Sequence, residues 1–121
     1  MRLFALRGAV SVPSNDAHAI LEATERLMRE VIARNDLPVE RMVSCIFTTT
    51  PDLDAEFPAV AARNVGLSSV PLLCAREISV PGALPRIIRV LVHYYASEDH
   101  DPRHCYLDEA RGLRLDLAGA Q

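Results

Sequence analysis

The run Arg86-Ile87-Ile88-Arg89-Val90-Leu91-Val92-His93-Tyr94-Tyr95 restricts the fold more than any other stretch of this sequence. β-Branched and aromatic side chains suit a pleated strand and lose χ1 freedom in a helix, so the run predicts a long strand, with a helix as the alternative. An arginine and a histidine stand inside it.

Other segments supply strands to pair with it. Leu3 to Val12 is apolar and β-compatible, ends at Pro13, and predicts a first, largely buried strand with Arg7 in its middle. Met42 to Thr49 is a second β-rich run, closed by the turn residues Thr50-Pro51-Asp52. Val70-Pro71-Leu72-Leu73-Cys74 predicts a short third strand, and His104-Cys105-Tyr106-Leu107 a short last one.

Helical signals lie between them. Ser14-Asn15-Asp16 offers N-caps before Ile20, Leu21, Leu27, Met28, Val31 and Ile32, which recur at helical spacing opposite Glu22, Glu25, Arg26 and Arg29. Asn35-Asp36-Leu37-Pro38 breaks this amphipathic helix, which should pack on the sheet. Phe57 to Val65 predicts a second, shorter helix stopped by Gly66. Pro81-Gly82 and the polar stretch from Ser97 to Arg103 read as loops, and the tail after Arg111 carries no strong pattern. The order β-α-β-α-β, followed by further strands, in 121 residues predicts one α/β domain spanning 1–121, with one modest core and one site.

Composition narrows the chemistry. All 13 basic residues are arginines, spread without a run over a chain of net charge −3, which argues against nucleic acid or an anionic membrane as partner. Without lysine there can be no Schiff base and no phosphate-gripping P-loop lysine. The 3 cysteines show no CxxC spacing and the 4 histidines no metal-ligand spacing, so neither a disulfide framework nor a metal site is expected. The arginine-interrupted start and the lack of a long apolar run predict a cytoplasmic chain with no membrane segment.

Strand alternation sets Leu3, Ala5, Arg7 and Ala9 on one face and Ile87, Arg89, Leu91 and His93 on another. Each arginine taken alone reads as an edge residue or the partner of a carboxylate. Converging on one pocket, the two guanidiniums would call for an anionic ligand, best a dicarboxylate held by bidentate hydrogen bonds. Glu77, after the third strand, reads by itself as a strand-end residue paired with Arg76 or Arg86. Cys74 has no histidine placed to activate it as a nucleophile.

The order of several short pieces resembles the trimeric α/β chorismate mutases along nearly the whole chain. These pieces are Arg7-Gly8-Ala9, Thr50-Pro51-Asp52-Leu53, Phe57-Pro58-Ala59 with Arg63, and Val70-Pro71-Leu72 leading to Cys74 and Glu77. Pro81-Gly82, Ile88-Arg89-Val90, His104-Cys105-Tyr106-Leu107 and Leu113-Arg114-Leu115-Asp116-Leu117 complete them. The resemblance implies a mixed β-sheet with helices on one side, three copies closing into a pseudo-α/β barrel, and active sites between subunits. It implies rearrangement of chorismate to prephenate without metal or cofactor, with Arg89, Glu77 and Arg7 catalytic. Cys74, Tyr106, Leu113 and the tail residue Arg114 would bind substrate from one subunit, and Phe57, Ala59, Arg63 and Leu73 from its neighbour. In this scheme Cys74 forms a polar wall of the pocket. Val60 stands where some members carry a lysine, and Leu115 where the tail motif has a proline; these positions bear on substrate attraction and tail ordering. The alternative is a trimeric module that binds a small carboxylate without converting it.

Overall fold

The computed structural model describes residues 1–113. Strand β1 (Arg2–Ser11) leads into helix α1 (Ala17–Asn35), and a 3₁₀ turn at Val39–Arg41 leads into β2 (Met42–Thr49). Helix α2 (Pro58–Asn64), β3 (Leu72–Arg76), β4 (Ile87–Ala96), β5 (Cys105–Leu107) and a 3₁₀ turn at Asp108–Arg111 follow.

Helix α1 starts where the sequence suggested. The Asp16 side chain accepts a hydrogen bond from Ala19 N at 2.9 Å, satisfying one of the free first-turn donors. Asp36 ends the helix in the left-handed region, at φ 50, with its N–H turned back on Ala33 O and Ile32 O. Ile20, Ala23, Thr24, Leu27, Met28 and Val31 form the buried stripe. At its end, buried Asn35 donates to Val31 O at 2.9 Å and to Arg103 O at 3.0 Å and accepts from Arg103 N at 2.8 Å, tying the helix to the approach of β5.

The strands form one mixed sheet in the order β3-β2-β4-β1-β5. Strand β4 is central and antiparallel to both β1 and β2; the two edges, β3 and β5, pair parallel to β2 and β1. Both helices share one face of this sheet, over a core that includes Leu6, Val10, Phe47, Ile88, Val90, Val92 and Tyr94 with Leu27, Met28, Val31, Ala62 and Leu67. Gly8 makes the close approach possible: a Cβ there would meet Val90 Cγ1 at 3.1 Å, Leu27 Cδ1 at 3.2 Å and Val31 Cγ2 at 3.3 Å. Helix α2 ends at Gly66, whose φ of +104 suits glycine.

The third strand begins two residues later than Val70, because its partner sets its limits: Cys45 pairs with Leu72 and Thr49 with Arg76. On the face away from the helices a second, smaller cluster unites Ala9, Ile87, Tyr106, Ala110 and Leu113. The 3₁₀ turn at Asp108–Arg111 therefore covers one end of that face, and among the described residues the rest is open. No helix among the described residues is long and apolar enough to cross a membrane.

Candidate active site

Cross-strand partners point to the same side of a sheet, so the register reads out the composition of the open face. One row across the sheet is Ala75, Thr48, Arg89, Ala9 and Tyr106; the next is Leu73, Ile46, Leu91 and Arg7. These rows floor a cleft of about 240 Å³ lined by Arg7, Ile46, Thr48, Arg89, Leu91, Tyr106 and Leu113. The two arginines predicted on separate strands thus converge, one strand apart.

Glu77 reaches the same row from the end of β3. Its backbone N donates to Thr49 O at 2.9 Å, continuing the β2 pairing by one residue. Its carboxylate stands 3.6 Å from Arg89 Nε and accepts a hydrogen bond from Thr48 Oγ1 at 2.6 Å. The expected partners Arg76 and Arg86 are replaced by Arg89. Arg86 is held elsewhere: its Nε donates to Val12 O at 3.0 Å and its N–H to Asp52 Oδ2 at 3.0 Å. Asp52 also accepts from Thr50 Oγ1 at 2.5 Å, and this turn fixes the entry into β4.

At 3.6 Å, Arg89 and Glu77 form an ion pair without a hydrogen bond, and Arg89 Nε is buried with no acceptor among the described residues. A buried cationic donor left without an acceptor is costly, so the geometry favours an incoming oxygen. Arg7 adds a second guanidinium at the rim, and its backbone N donates to His104 Nδ1 at 2.9 Å. The surroundings combine two cations, one carboxylate and apolar walls, an arrangement suited to a compact anionic ligand in a partly dry pocket.

The family model for chorismate mutase type I matches residues 3–117. The chain belongs to the chorismate mutase type I family. It is 46% identical over 118 residues to chorismate mutase AroH of Thermus thermophilus, covering 96% of this chain and 97% of that one. It is 36% identical over 120 residues to chorismate mutase AroH of Bacillus subtilis, covering 98% and 94%. A solved chorismate mutase from Clostridium thermocellum superposes with a TM-score of 0.86 at 44% identity, over 90% of this chain and 98% of that one. The chain is a chorismate mutase, an isomerase that converts chorismate to prephenate.

Of the residues expected at this mutase's site, Arg7, Arg89, Tyr106 and Leu113 meet in the cleft, and Glu77 joins them through Arg89. Leu73 lies on the same open face and is 61% exposed. Cys74 departs from expectation: it pairs in register with Phe47 and packs against the helix-side core, so its thiol is not a wall of this cleft. Instead it lines a separate groove with Phe57, which is 68% exposed. Ala59 is buried within its own helix face, and Arg63 is exposed in the last turn of α2. The chain does not bring Phe57, Ala59 or Arg63 to its own cleft. Arg114 and Leu115 lie outside the described residues. Thr48 was missed by the sequence reading, since a threonine in a strand is ordinary and only the register reveals its place between Arg89 and Ala75.

Proposed function

We propose that this cleft is where chorismate rearranges, and that the observation carrying the assignment is Arg89 Nε, buried beside Glu77 yet without an acceptor. The reaction is a unimolecular [3,3] shift, in which the ether bond breaks while a carbon–carbon bond forms. It needs a compact substrate conformer and stabilisation of separating charge; it needs no proton transfer and no covalent intermediate.

Arg89 faces the ether oxygen as it becomes negative, and a guanidinium fixed beforehand gains attraction in the transition state that it lacks with bound substrate. Glu77 accepts a hydrogen bond from the ring hydroxyl and offsets the positive character growing on the ring. Arg7 and Tyr106 grip the side-chain carboxylate, and Leu113 and Arg114 are further substrate-binding residues. No metal or cofactor takes part.

The working unit in this reading is a homotrimer, a pseudo-α/β barrel of single-domain chains spanning 1–121, acting in the cytoplasm. Phe57, Ala59, Arg63 and Leu73 of one subunit complete the neighbour's cleft. The exposure of Phe57 and Leu73 supports this, because large apolar side chains left in solvent gain from burial between subunits.

The test is loss of chorismate absorbance with prephenate formation in a cofactor-free assay, followed by subunit mixing. Inactive Arg63→Ala and inactive Arg7→Ala proteins should recover part of the activity when mixed, through hybrid interfaces carrying one intact composite site. Binding of chorismate without turnover would favour the non-catalytic carboxylate-binding module. Absence of recovery after demonstrated subunit exchange would rule out composite sites.

A further inference from the structure

Arg89 and Glu77 lie close enough to collapse onto one another, and in this chain they do not. Guanidinium and carboxylate prefer a bidentate pair with N···O distances of about 2.7–2.9 Å. Here the separation is 3.6 Å, and the carboxylate oxygen nearest Arg89, Oε2, is the one that accepts from Thr48 Oγ1 at 2.6 Å. Thr48 is next to Arg89 in register and lines the cleft, and its neighbour on the other side is Ala75, too small to compete for the carboxylate.

We infer that Thr48 is a positioning residue of this mutase: its hydroxyl holds Glu77 off Arg89, so that both groups keep hydrogen-bonding capacity for substrate. The inference rests on the reading of Glu77 and Arg89 as the groups that stabilise the transition state. Thr48 touches neither reacting bond; it acts through Glu77. With Oε2 held by the hydroxyl, the second carboxylate oxygen is left for the ring hydroxyl. The Arg89 Nε–H, buried and without an acceptor, is left for the ether oxygen. Without the hydroxyl, Oε2 would close on Arg89, and each group would satisfy the other instead of the transition state. An extended backbone makes the arrangement rigid, because a β-branched threonine in a strand has few χ1 wells in which to turn away.

Thr48→Val keeps the shape and removes the donor. Its kcat should fall about ten- to a hundredfold, the range for a hydrogen bond to a charged group, with KM changed less and the unfolding midpoint near that of the unaltered protein. Thr48→Ser should recover most of the lost rate, and Thr48→Ala provides the same comparison if the valine variant does not fold. In a Glu77→Ala background the Thr48→Val change should cost less than about twofold, since a residue acting through Glu77 has nothing left to act on. A crystal structure of Thr48→Val should show Arg89 and Glu77 within hydrogen-bond distance.

Two failures are distinguishable. If Glu77→Ala alone leaves kcat intact, the role given to Glu77 is wrong. If Glu77→Ala is impaired but Thr48→Val turns over normally, or costs as much with Glu77 absent as with it present, Thr48 is not a positioning residue.

Discussion

On β4, Ile88, Val90, Val92 and Tyr94 point into the helical layer and are at most 2% exposed, whereas the alternating Arg89, Leu91 and His93 point the other way and remain partly open. The same division holds on β1 between Leu6, Gly8 and Val10 and the alternating Ala5 and Arg7. The helix side is filled to the point that Gly8 has no room for a Cβ without neighbours giving way. The cleft side keeps a buried guanidinium nitrogen without an acceptor among the described residues. One face settles its own packing and hydrogen bonding; on the other, the described residues leave a cleft and an unsatisfied donor. With the proposed site on the cleft face, stability and chemistry would fall on opposite sides of a sheet one residue thick.

The largest expected effect comes from neutralising the cation. Replacing Arg89 with citrulline keeps the shape and removes the charge, and should lower kcat by on the order of a hundred- to a thousandfold. Citrulline keeps the Nε–H but leaves the largely buried Glu77 carboxylate without its cation, so the unfolding midpoint should fall, by far less than turnover does. If the citrulline protein binds chorismate and turns it over at the original rate, Arg89 is structural and the contrast between faces breaks down.

A cut on the helix side should do the reverse. Val31 is fully buried on α1, and Val31→Ala removes two methyl groups from the core, costing about 2 kcal/mol in chemical denaturation at fixed protein concentration. Turnover by the folded enzyme should stay close to that of the parent. A kcat loss as large as the citrulline variant's would show that the faces are not separable.

The smallest effect is a slope in alkali. Burial pushes the Cys45 thiol up to about 12, and burial, with Asp101 nearby, pushes the Tyr94 phenol up to about 12. Both are helix-side groups that fold in the neutral form, so above about pH 9 to 10 the unfolded chain releases these protons first. The stability they carry is complete below that range and is lost as pH rises towards 12. Unfolding free energies measured from pH 8 to 11 should decline, and Tyr94→Phe should flatten the decline; an unchanged slope would mean that Tyr94 titrates alike folded and unfolded.

Much of this was legible beforehand because it is local. The cap at Asp16, the stop at Asp36 and the face alternation of β1 and β4 depend on near neighbours in sequence. What stayed hidden depended on register. Glu77 meets Arg89, and not Arg76 or Arg86, because the pairing of β3 with β2 carries it to the row that β4 already occupies. Cys74 turns towards the core for the same reason, since a shift of one residue exchanges the faces of an edge strand. Thr48 gave no signal of its own. The resemblance pointed to Arg7, Arg89, Tyr106 and Leu113, which line one cleft, but the relation between Arg89 and Glu77, a 3.6 Å gap with the carboxylate held by the Thr48 hydroxyl, exists only in three dimensions.

Strand order also governs how the molecule comes apart. Arg89 sits on the strand that is paired on both sides, whereas Glu77 follows one edge strand and Tyr106 lies on the other. Edges open by local fluctuation at a fraction of the free energy needed to break the middle, so amide exchange at Ala75 and Tyr106 should run ahead of exchange at Val90. On warming, the cleft would lose its carboxylate and its phenol while the guanidinium is still held. Inactivation by heat would therefore begin as a loss of grip at the margins, with the central cation the last element of the site to go.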